Sequence, residues 1–590
     1  PRIHKSLPGY HGTVRCSTTI AQEEEHAIVN VKNTNQQWDE EFDVVVVGFG
    51  GAGACAAIEA ADNGARVLAI DRFTGGGATR LSGGVIYSGG GTRHQKAAGF
   101  NDTPEKMYRY MMREMASNPA CCRDDEIDPA AMKAFCERSS ENIDWLEGLG
   151  LVIPETYFPG KTNQPPGGFG LYFSGNEKQY SDKNAYIPRG HVPLGKGMSG
   201  GYLYSTLRKA ALDRGVAFRS RCRSEKIITD DSGAVAGIEV LELNQSPLAT
   251  ALHALLYNLG FVSSRSRRLL ARVEKRFGKT LRIRSRGGVI ISSGGFVYNR
   301  KKFNEYAPAY SGCLPLGTAG DDGSGMDLGM DAGGTLSSVD VCAASRFLYP
   351  PVAFVSGLLS NMEGKRFCDE SLYGASISRA VTQQPERRAY LVIDSTQHRD
   401  GRLQTKREEK LGNSLISVLK GEQNHIVYRK LTTFVNLHMN RKKAGTIAGL
   451  AKKCGIPAEA LVRTVDSYNG QCSAGTDREF GKPADYLRRI EKPPFYAIDC
   501  RIETMKFPST CLTMGGLKVK GLTSQAVRAD GKAIPGLYAA GRSAAGICSR
   551  SYVSGFSLAD CIFSGRNAGA HAAAQAGKKA AAAGRGRRRP

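Results

Sequence analysis

The chain has 590 residues, of which 41% are hydrophobic and 23% are charged. This composition is that of a globular protein of several domains and excludes wholesale disorder. With 80 Lys and Arg against 56 Asp and Glu, the formal net charge is +24, so nucleic acid, an anionic membrane surface and an acidic substrate are candidate partners. The 15 cysteines form no CxxC pair. We therefore predict neither a disulfide framework nor a metal site, and we expect a reducing, cytoplasmic location.

The positive charge is concentrated in two stretches. Residues 248–286 hold ten Lys and Arg against one acid, Glu274, and residues 577–590 hold six more and no acid. These stretches carry +15 of the net +24, so the rest of the chain is only mildly basic. A partner selected by charge would therefore contact one of these two stretches.

The first 37 residues are polar and contain no apolar run that could form the core of a signal peptide. We expect an N-terminal extension that contributes little to the folded core. Nowhere does the chain reach the roughly 18 continuous apolar residues of a membrane-spanning helix. The nearest approach, 248–262, is shorter and is interrupted by Thr250, His253 and Asn258.

A strand, a helix and a second strand follow one another directly after residue 42. Four β-branched residues at Val44–Val47 predict a strand that is buried on both faces. The alanine-rich stretch 52–63 predicts a helix, and 66–70 predicts the next strand, which ends at Asp71. This order is typical of the start of a parallel α/β sheet.

Glycines occupy the turn between the first strand and the helix, in the pattern Gly48-x-Gly50-x-x-Gly53. The first glycine permits the tight turn, the second lets the backbone approach a pyrophosphate, and the third lets helix and strand pack closely. The helix N-terminus adds positive potential, and Asp71 would accept hydrogen bonds from the adenosine ribose. We predict a dinucleotide site here, with an empty tight turn as the alternative.

Later parts of the chain complete the predicted sheet. A second glycine-rich loop runs from Gly75 to Gly84 and carries hydroxyls suited to a pyrophosphate or a flavin edge. Near the other terminus, 537–540 predicts a strand that ends in Gly541. A nucleotide domain that begins at one end of the chain and closes at the other is typical of flavoproteins, which favours FAD over NAD. Further strands and the last helix are predicted at 217–219, 226–229, 235–242, 288–292 and 557–575.

These motifs resemble the FAD-dependent fumarate reductase and succinate dehydrogenase flavoprotein superfamily, over residues 42–576. The segments LTMGGL at 512–517 and PGLYAAG at 535–541 match the superfamily's TSxxGGL and GLYAAG patterns. Dicarboxylate-binding members carry a loop close to GGNSL, whereas the loop here reads SYVSGFSL. No histidine lies in the Gly75–Gly84 loop, where covalently flavinylated members place one. The resemblance therefore implies non-covalent FAD and a substrate other than a dicarboxylate.

A closer resemblance is to the FAD-dependent 3-ketosteroid dehydrogenases, and among these to the 3-keto-5α-steroid Δ4-dehydrogenases. It rests on the stretches DVVVVGFGGAGACAAIEAA, SGGVIYSGGGT, YFPGK, LYFSGNEK, PRGH, VIISSGGF, GDDGSGMDLGMDAGG and YPPVAFVSGLLSN. The Δ1-dehydrogenases carry a Tyr-Pro-Gly type of loop where this chain has Tyr552-Val-Ser554-Gly555. This difference favours the Δ4 activity.

The resemblance implies a reaction in which FAD accepts a hydride from a 3-ketosteroid while a base removes a neighbouring proton. The product has a ring-A double bond conjugated with the ketone. Tyr552 is the implied proton acceptor at carbon 4, and Ser554 and Tyr349 are implied as hydrogen-bonding or relay partners. The backbone amides of Gly555 and Phe556 are candidates for the ketone oxygen.

For the cofactor, the glycine motif and the resemblance together single out a larger set of residues. They are Gly48, Gly50, Gly51, Ala52, Gly53, Asp71, Arg72, Gly77, Ala78, Thr79, Ser82, Gly83, Gly84, Lys226, Gly294, Gly295, Asp322, Gly323, Gly541, Ser557 and Leu558. Three other functions stay open: a 3-ketosteroid Δ1-dehydrogenase, a fumarate-reductase-like reductase of an enone or acrylate, and a flavin-binding membrane module without enzymatic activity.

The predicted fold is α/β, with a Rossmann-like FAD-binding domain and an inserted α+β catalytic domain that closes over the flavin. The expected domain limits are an N-terminal extension, the first part of the FAD domain, the catalytic domain, the return of the FAD domain and a basic tail. They lie at 1–37, 38–299, 300–504, 505–577 and 578–590.

The basic stretch is an insertion of about 35 to 40 residues relative to this family, within 246–286 of the FAD domain. Its leucines recur at helical spacing and are followed by the cationic half, a combination that suits peripheral docking on the inner face of the cell membrane. A membrane quinone would then be a suitable electron acceptor. The alternative is a helical hairpin packed on the protein with a solvated basic face. Nucleic-acid binding is not expected, because no recognition fold accompanies the charge.

Overall fold

The computed structural model describes residues 37–117, 128–180, 186–195, 198–243, 246–261, 263–410 and 424–586. The predicted N-terminal extension, except Gln37, lies outside these residues, as do the arginines at 587–589. The described residues from Trp38 onward belong to one compact unit.

Strands β1 to β22, in chain order over these residues, have the following bounds: Glu40–Val47, Val67–Asp71, Ile86–Tyr87, Tyr157–Phe158, Leu171–Tyr172, Gly190–His191, Ala217–Ser220, Cys222–Thr229, Val235–Leu243, Gly278–Ile291, Leu314–Pro315, Leu336–Ser337, Cys342–Ser345, Leu358–Asn361, Ala389–Ile393, Arg441–Ala444, Phe495–Asp499, Thr510–Thr513, Gly516–Lys518, Gln525–Val527, Ala533–Ala539 and Ala544–Ala545.

Helices α1 to α17 have the following bounds: Gly51–Asp62, Gly77–Leu81, Arg93–Ala97, Pro104–Ala116, Pro129–Gly148, Glu177–Tyr180, Gly200–Asp213, Pro247–Gly260, Ser264–Phe277, Arg300–Tyr306, Ser324–Asp331, Gly374–Thr382, Ser395–Lys410, Asn424–His438, Ile447–Cys454, Ala458–Ser473 and Phe556–Gly586.

The central element of the fold is a sheet in the order β20-β21-β10-β1-β2-β7, with β9 paired to β10 and β8 to β9. Strands β21, β10, β1, β2 and β7 are parallel to one another. Val44 and Val46 belong to the core on one face of the sheet, and Val45 and Val47 to the core on the other. The sheet therefore joins strands from the two ends of the chain and is covered on both sides, and the predicted α/β class is confirmed.

The last helix, α17, returns to pack on α1 at very short range. A Cβ atom on Gly565 would lie 2.5 Å from the Ala52 carbonyl oxygen, and one on Gly569 would lie 2.3 Å from that of Ala56. Side chains at these positions would separate the two helices. The glycines of α17 thus allow it to pack closely on α1 and to complete the domain that begins with β1. Helix α17 continues to Gly586, beyond the predicted end at residue 575 and into the predicted basic tail.

Between residues 300 and 504, the range predicted for the catalytic domain, a separate four-stranded sheet has the order β14-β15-β17-β16. Its strands pack against α15 and α16 through Leu450, Leu461 and Val465. The boundaries at 300 and 504 stay a prediction.

The predicted amphipathic insertion at 246–286 is helical only as far as Phe277. Residues 278–286 form the first part of β10, which begins ten residues before the predicted start at 288. Leu281, Ile283 and Ser285 point inward, which is the alternation of a half-buried strand. The intervening side chains Arg282, Arg284 and Arg286 pair with Glu239, Glu41 and Asp43. These three arginines are therefore paired on the surface of the sheet, and their part in a membrane-directed surface stays a prediction.

Replacing Gly53 by Ala tests the contact between α1 and the sheet. A Cβ atom there would lie 2.0 Å from the Gly48 carbonyl oxygen and 2.7 Å from Ser292 Oγ, so Gly53→Ala is expected to lower the free energy of unfolding by about 1–3 kcal/mol. The matched control is Gly470→Ala, in a helix with nothing within 4 Å of the added atom, which should raise it by about 0.5–1 kcal/mol. Urea unfolding of both variants measures the difference, and equal effects would refute the close-packing argument.

Candidate active site

A cavity of about 570 Å³ opens at the carboxyl ends of β1, β2 and β10. Open α/β sheets bind nucleotides in such a crevice. Its lining includes fourteen of the residues predicted for the cofactor: Gly48, Gly50, Gly51, Ala52, Asp71, Arg72, Gly77, Ala78, Thr79, Ser82, Gly83, Gly294, Ser557 and Leu558.

The three glycines of the motif differ in their surroundings. Gly48 has a φ of +91°, and a Cβ atom there would lie 2.7 Å from the Ser292 carbonyl oxygen. Gly53 faces the sheet. A Cβ atom on Gly50 would come no closer than 3.8 Å to its nearest neighbour, so only Gly50 leaves its side open to the cavity. The turn thus presents bare backbone at the N-terminus of α1, where the Gly51 N–H also donates to Thr79 Oγ1 at 3.1 Å.

Asp71 fixes the end of the cavity at the carboxyl end of β2. Its carboxylate accepts the backbone N–H groups of Phe49 at 2.9 Å and Phe73 at 2.8 Å. Burial raises the pKa of this carboxyl group, and the two backbone hydrogen bonds oppose that rise. Because the acid at the end of the second strand contacts the adenosine ribose in dinucleotide folds, we refer to this as the adenosine end.

Seven residues predicted for the cofactor do not line the cavity: Gly53, Gly84, Lys226, Gly295, Asp322, Gly323 and Gly541. Lys226 is exposed on β8. That strand begins four residues earlier than predicted. Its first residues, Cys222, Arg223 and Ser224, line the cavity in place of Lys226. Asp322 pairs with Arg72 at 2.8 Å. Gly541 lies behind the wall, against the side chains of Ala52 and Cys561.

An ion pair that the sequence interpretation missed lies in the wall of the cavity. Arg542 Nη2 contacts Asp321 Oδ1 at 2.6 Å, and Asp321 also accepts the N–H groups of Gly295 and Thr318. Arg542 Nη1 is buried and has no hydrogen-bond partner among the described residues. The signal for Arg542 was available, because it directly follows the PGLYAAG strand.

These features fit FAD. A dinucleotide needs close backbone approach and positive potential for its pyrophosphate, which the open side of Gly50 and the N-terminus of α1 provide. The unpartnered N–H of Arg542 needs an acceptor, because a buried donor without one is costly. A flavin ring system carries such acceptors.

A second cavity, of about 250 Å³, adjoins the first. Gly83, Met198, Leu316, Leu512 and Tyr552 line both. The rest of the second cavity is largely apolar and aromatic, with Phe347, Leu348, Pro350, Pro351, Phe354 and Phe507 among its lining residues. The second cavity is therefore a slot suited to an apolar molecule. This slot meets the first cavity at Tyr552.

Three of the four predicted catalytic residues, Tyr552, Ser554 and Tyr349, line this slot together. Tyr172, which the sequence interpretation missed, donates to Ser554 Oγ at 3.3 Å. Tyr373 also lines the slot, with its ring centroid 6.1 Å from that of Tyr552. The slot therefore brings Ser554 into contact with a tyrosine that is 382 residues away in sequence.

Gly555 has a different place from the one expected. It lines neither cavity, and its φ of +89° brings its carbonyl oxygen to the N–H of Tyr87 at 3.1 Å. Its own N–H is close enough to the Tyr552 phenol to lower the pKa of that group. The geometry does not support Gly555 as a direct partner of the ketone oxygen, and Phe556 is fully buried.

The electrostatics of Tyr552 combine opposing effects. Burial is the largest and, with nearby Cys548, raises the pKa of the phenol well above its usual value of about 10. The positive charge of Arg542 and the Gly555 N–H lower it. Tyr552 is therefore protonated at neutral pH in this environment, and Arg542 is the cation positioned to stabilise its phenolate.

Comparison with known proteins identifies the family. The model of the FAD binding domain family matches residues 43–555. The chain is 32% identical to the 3-oxo-5-alpha-steroid 4-dehydrogenase of Comamonas testosteroni over 86% of this chain and 93% of that protein. It is 26% identical to a fumarate reductase of Shewanella frigidimarina, over 90% and 77% of the two chains.

Among solved structures, a 3-ketosteroid-Δ4-(5α)-dehydrogenase from Rhodococcus jostii RHA1, crystallised with 4-androstene-3,17-dione, superimposes with a TM-score of 0.73. It is 32% identical, with 92% of this chain and 98% of that chain covered. The resemblance stated from the motifs is thereby confirmed. The chain belongs to the FAD binding domain family and is an FAD-dependent oxidoreductase, of the same family as the 3-oxo-5-alpha-steroid 4-dehydrogenase of Comamonas testosteroni.

Proposed function

We propose that the chain dehydrogenates 3-ketosteroids and introduces a ring-A double bond conjugated with the 3-ketone, at Δ4 of 5α-3-ketosteroids. The observation that carries this proposal is the position of Tyr552, where an apolar slot meets the FAD cavity. The similarity to Δ4-dehydrogenases over most of the chain supports the same substrate class.

The lining of the slot also argues against a dicarboxylate as the substrate. Two carboxylates require cationic partners when they leave water. Within the part of the chain that the structure describes, the lining of the slot includes no arginine or histidine. An uncharged, rigid ring system suits its aromatic and proline walls better.

Bound FAD supplies a hydride acceptor. The chain's own residues must then remove a proton from the carbon next to the ketone and hold the steroid in place. Tyr552 is the proposed proton acceptor, because it is the ionisable group at the junction of the two cavities. Ser554 and Tyr349 line the same slot and are the proposed hydrogen-bonding partners, and the Tyr172 hydroxyl holds Ser554.

The proton acceptor is tested by Tyr552→Phe. Loss of a positioned base typically costs about 10²–10⁴-fold in rate, so anaerobic reduction of bound FAD by a 5α-3-ketosteroid should slow by at least 100-fold while FAD stays bound. The matched control is Tyr202→Phe, which removes a phenol that lines neither cavity. Loss of FAD with an unchanged rate in the molecules that retain it would contradict the assignment.

The pH dependence follows from the direction of the Tyr552 pKa. Because that pKa is raised, the phenolate fraction at neutral pH is small and increases with pH, so the rate of FAD reduction should rise steadily from pH 7 to pH 9. Arg542→Gln removes a charge that lowers the pKa and should move the profile to higher pH. Arg223→Gln, which changes an arginine near the adenosine end, should leave the profile in place. A flat profile would exclude Tyr552 deprotonation from the slow step.

We also propose that the enzyme is a peripheral protein of an anionic membrane, and that a membrane quinone accepts its electrons. Among the described helices, none is long and apolar enough to cross a bilayer. The hairpin of α8 and α9 instead exposes Leu248, Leu255, Leu259 and Leu269. Beside them, Arg265, Arg268, Arg272 and Arg276 are exposed on α9. Apolar side chains flanked by arginines match the boundary between acyl chains and anionic headgroups.

Sedimentation with vesicles tests this surface. Replacing the four exposed arginines of α9 by Gln should weaken binding to phosphatidylserine-containing vesicles by roughly 100- to 1,000-fold, since each cation near such a surface contributes about 1 kcal/mol. A control variant removes four exposed cations elsewhere, by changing Lys452, Arg463, Arg478 and Lys506 to Gln. Equal binding to neutral vesicles, or equal losses in both variants, would reject a specific membrane face.

A further inference from the structure

The inserted hairpin has an inner face as well as an outer one, and the inner face reaches the cofactor cavity. Tyr257 and Phe261, at the end of α8, line the cavity that holds the adenosine end. We propose that the hairpin is a part of the FAD site, in which Tyr257 and Phe261 contact the adenine and close this end of the cavity over it.

Aromatic contacts place these side chains beside Asp71. The ring centroids of Tyr257 and Phe73 are 4.3 Å apart with an interplanar angle of 34°, and Phe73 is the second residue after Asp71. The ring centroid of Phe261 is 5.3 Å from that of Tyr257, and the angle between the two ring planes is 68°. Since a carboxylate in the position of Asp71 marks the adenosine ribose, an adenine next to that ribose would lie within reach of this cluster. Aromatic faces are suitable surfaces for a base.

A buried carboxylate of the hairpin holds the arginines of the same wall. Glu274 of α9 is 3% exposed, and its two oxygens accept from Arg72 Nε at 2.8 Å and Nη2 at 2.9 Å. Arg223 Nη1 and His253 Nε2 each lie 3.4 Å from this carboxylate. Burial alone would raise the pKa of Glu274, but its partners outweigh burial and lower it to about 2. A bidentate pair of this kind is strong and directional.

A third set of contacts fixes the tip of the hairpin to the loop that continues the cavity wall. A Cβ atom on Gly260 would lie 3.3 Å from that of Ala319, and the neighbouring residues Thr318 and Gly320 line the cavity. Arg267 donates to the carbonyl oxygens of Gly260 at 2.5 Å and Tyr298 at 3.2 Å. The hairpin is therefore held to the cavity wall at its base and at its tip, so its aromatic side chains face the cofactor in a fixed position.

This placement makes the hairpin selective for one end of FAD. Tyr552, which marks the flavin end of the cavity, is not among the described contacts of the hairpin. FMN lacks the adenosine that Tyr257 and Phe261 would contact. The contribution of the hairpin should therefore appear in the affinity for FAD and be absent from the affinity for FMN.

The test measures binding of FAD and of FMN to apoprotein by quenching of flavin fluorescence. For the double variant Tyr257→Ala and Phe261→Ala, we expect FAD to bind at least 10-fold more weakly and to dissociate correspondingly faster, with FMN affinity unchanged within twofold. The matched control is Leu255→Ala with Leu259→Ala, which truncates two exposed side chains of the same helix and should change neither affinity. The conservative variant Tyr257→Phe should retain FAD affinity within threefold.

Two results would overturn the proposal. Equal weakening of FAD and FMN would show that the aromatic residues act only through the fold, and unchanged FAD affinity would show that they do not contact the cofactor. If the double variant does not fold, Tyr257→Leu provides the same comparison, because it keeps apolar volume and removes the ring. The readout is independent of any steroid, so failure of the proposed steroid activity would leave this result intact.

Discussion

The close approach of backbone to backbone at the end of β1 is the constraint on which the other features depend. Gly48 and Gly53 leave no room for a Cβ atom between the sheet and α1, and Gly565 and Gly569 do the same between α1 and α17. Because these contacts set α1 at a fixed depth, its N-terminus opens into the cavity. The loop of Tyr552, which immediately precedes α17, is positioned by the same packing. The cofactor cavity and Tyr552, the proposed proton acceptor, are thus positioned by close packing at these four glycines.

The cavity that results has two chemically different ends. At the adenosine end, Glu274 and Asp322 hold Arg72 in short ion pairs, which favours a rigid wall. At the flavin end, Arg542 has only one carboxylate partner, Asp321, and keeps one N–H without a partner among the described residues. Its charge is therefore directed partly at the cavity and at Tyr552. The adenosine end is thus suited to binding the cofactor, and at the flavin end Arg542 is positioned to stabilise a negative charge on Tyr552.

The sequence predicted the parts of the site that are local in the chain. The glycine motif and Asp71 could be recognised because each belongs to a short pattern with a physical requirement of its own, whereas the Tyr552 loop was singled out by its resemblance to the steroid dehydrogenases. Asp321 was passed over for its neighbour Asp322, since only the tertiary position of Arg542 distinguishes them. Lys226 was predicted at the cofactor site because the predicted start of β8 was four residues too late. Tyr257 and Phe261 could not be predicted, because which face of an inserted helix turns inward depends on what it packs against.

The direction in which the basic side chains of residues 248–286 point also depends on tertiary contacts. A run of ten cations suggested one continuous surface, yet Arg282, Arg284 and Arg286 are paired on a strand and Arg267 binds carbonyl oxygens at the hairpin tip. On α9, the single acid of the stretch, Glu274, turns inward to Arg72, whereas Arg265, Arg268, Arg272 and Arg276 are exposed. Because that pair fixes the orientation of α9, these four arginines are directed outward. The contact that ties the insertion to the cofactor cavity therefore also decides which of its charges face the surroundings.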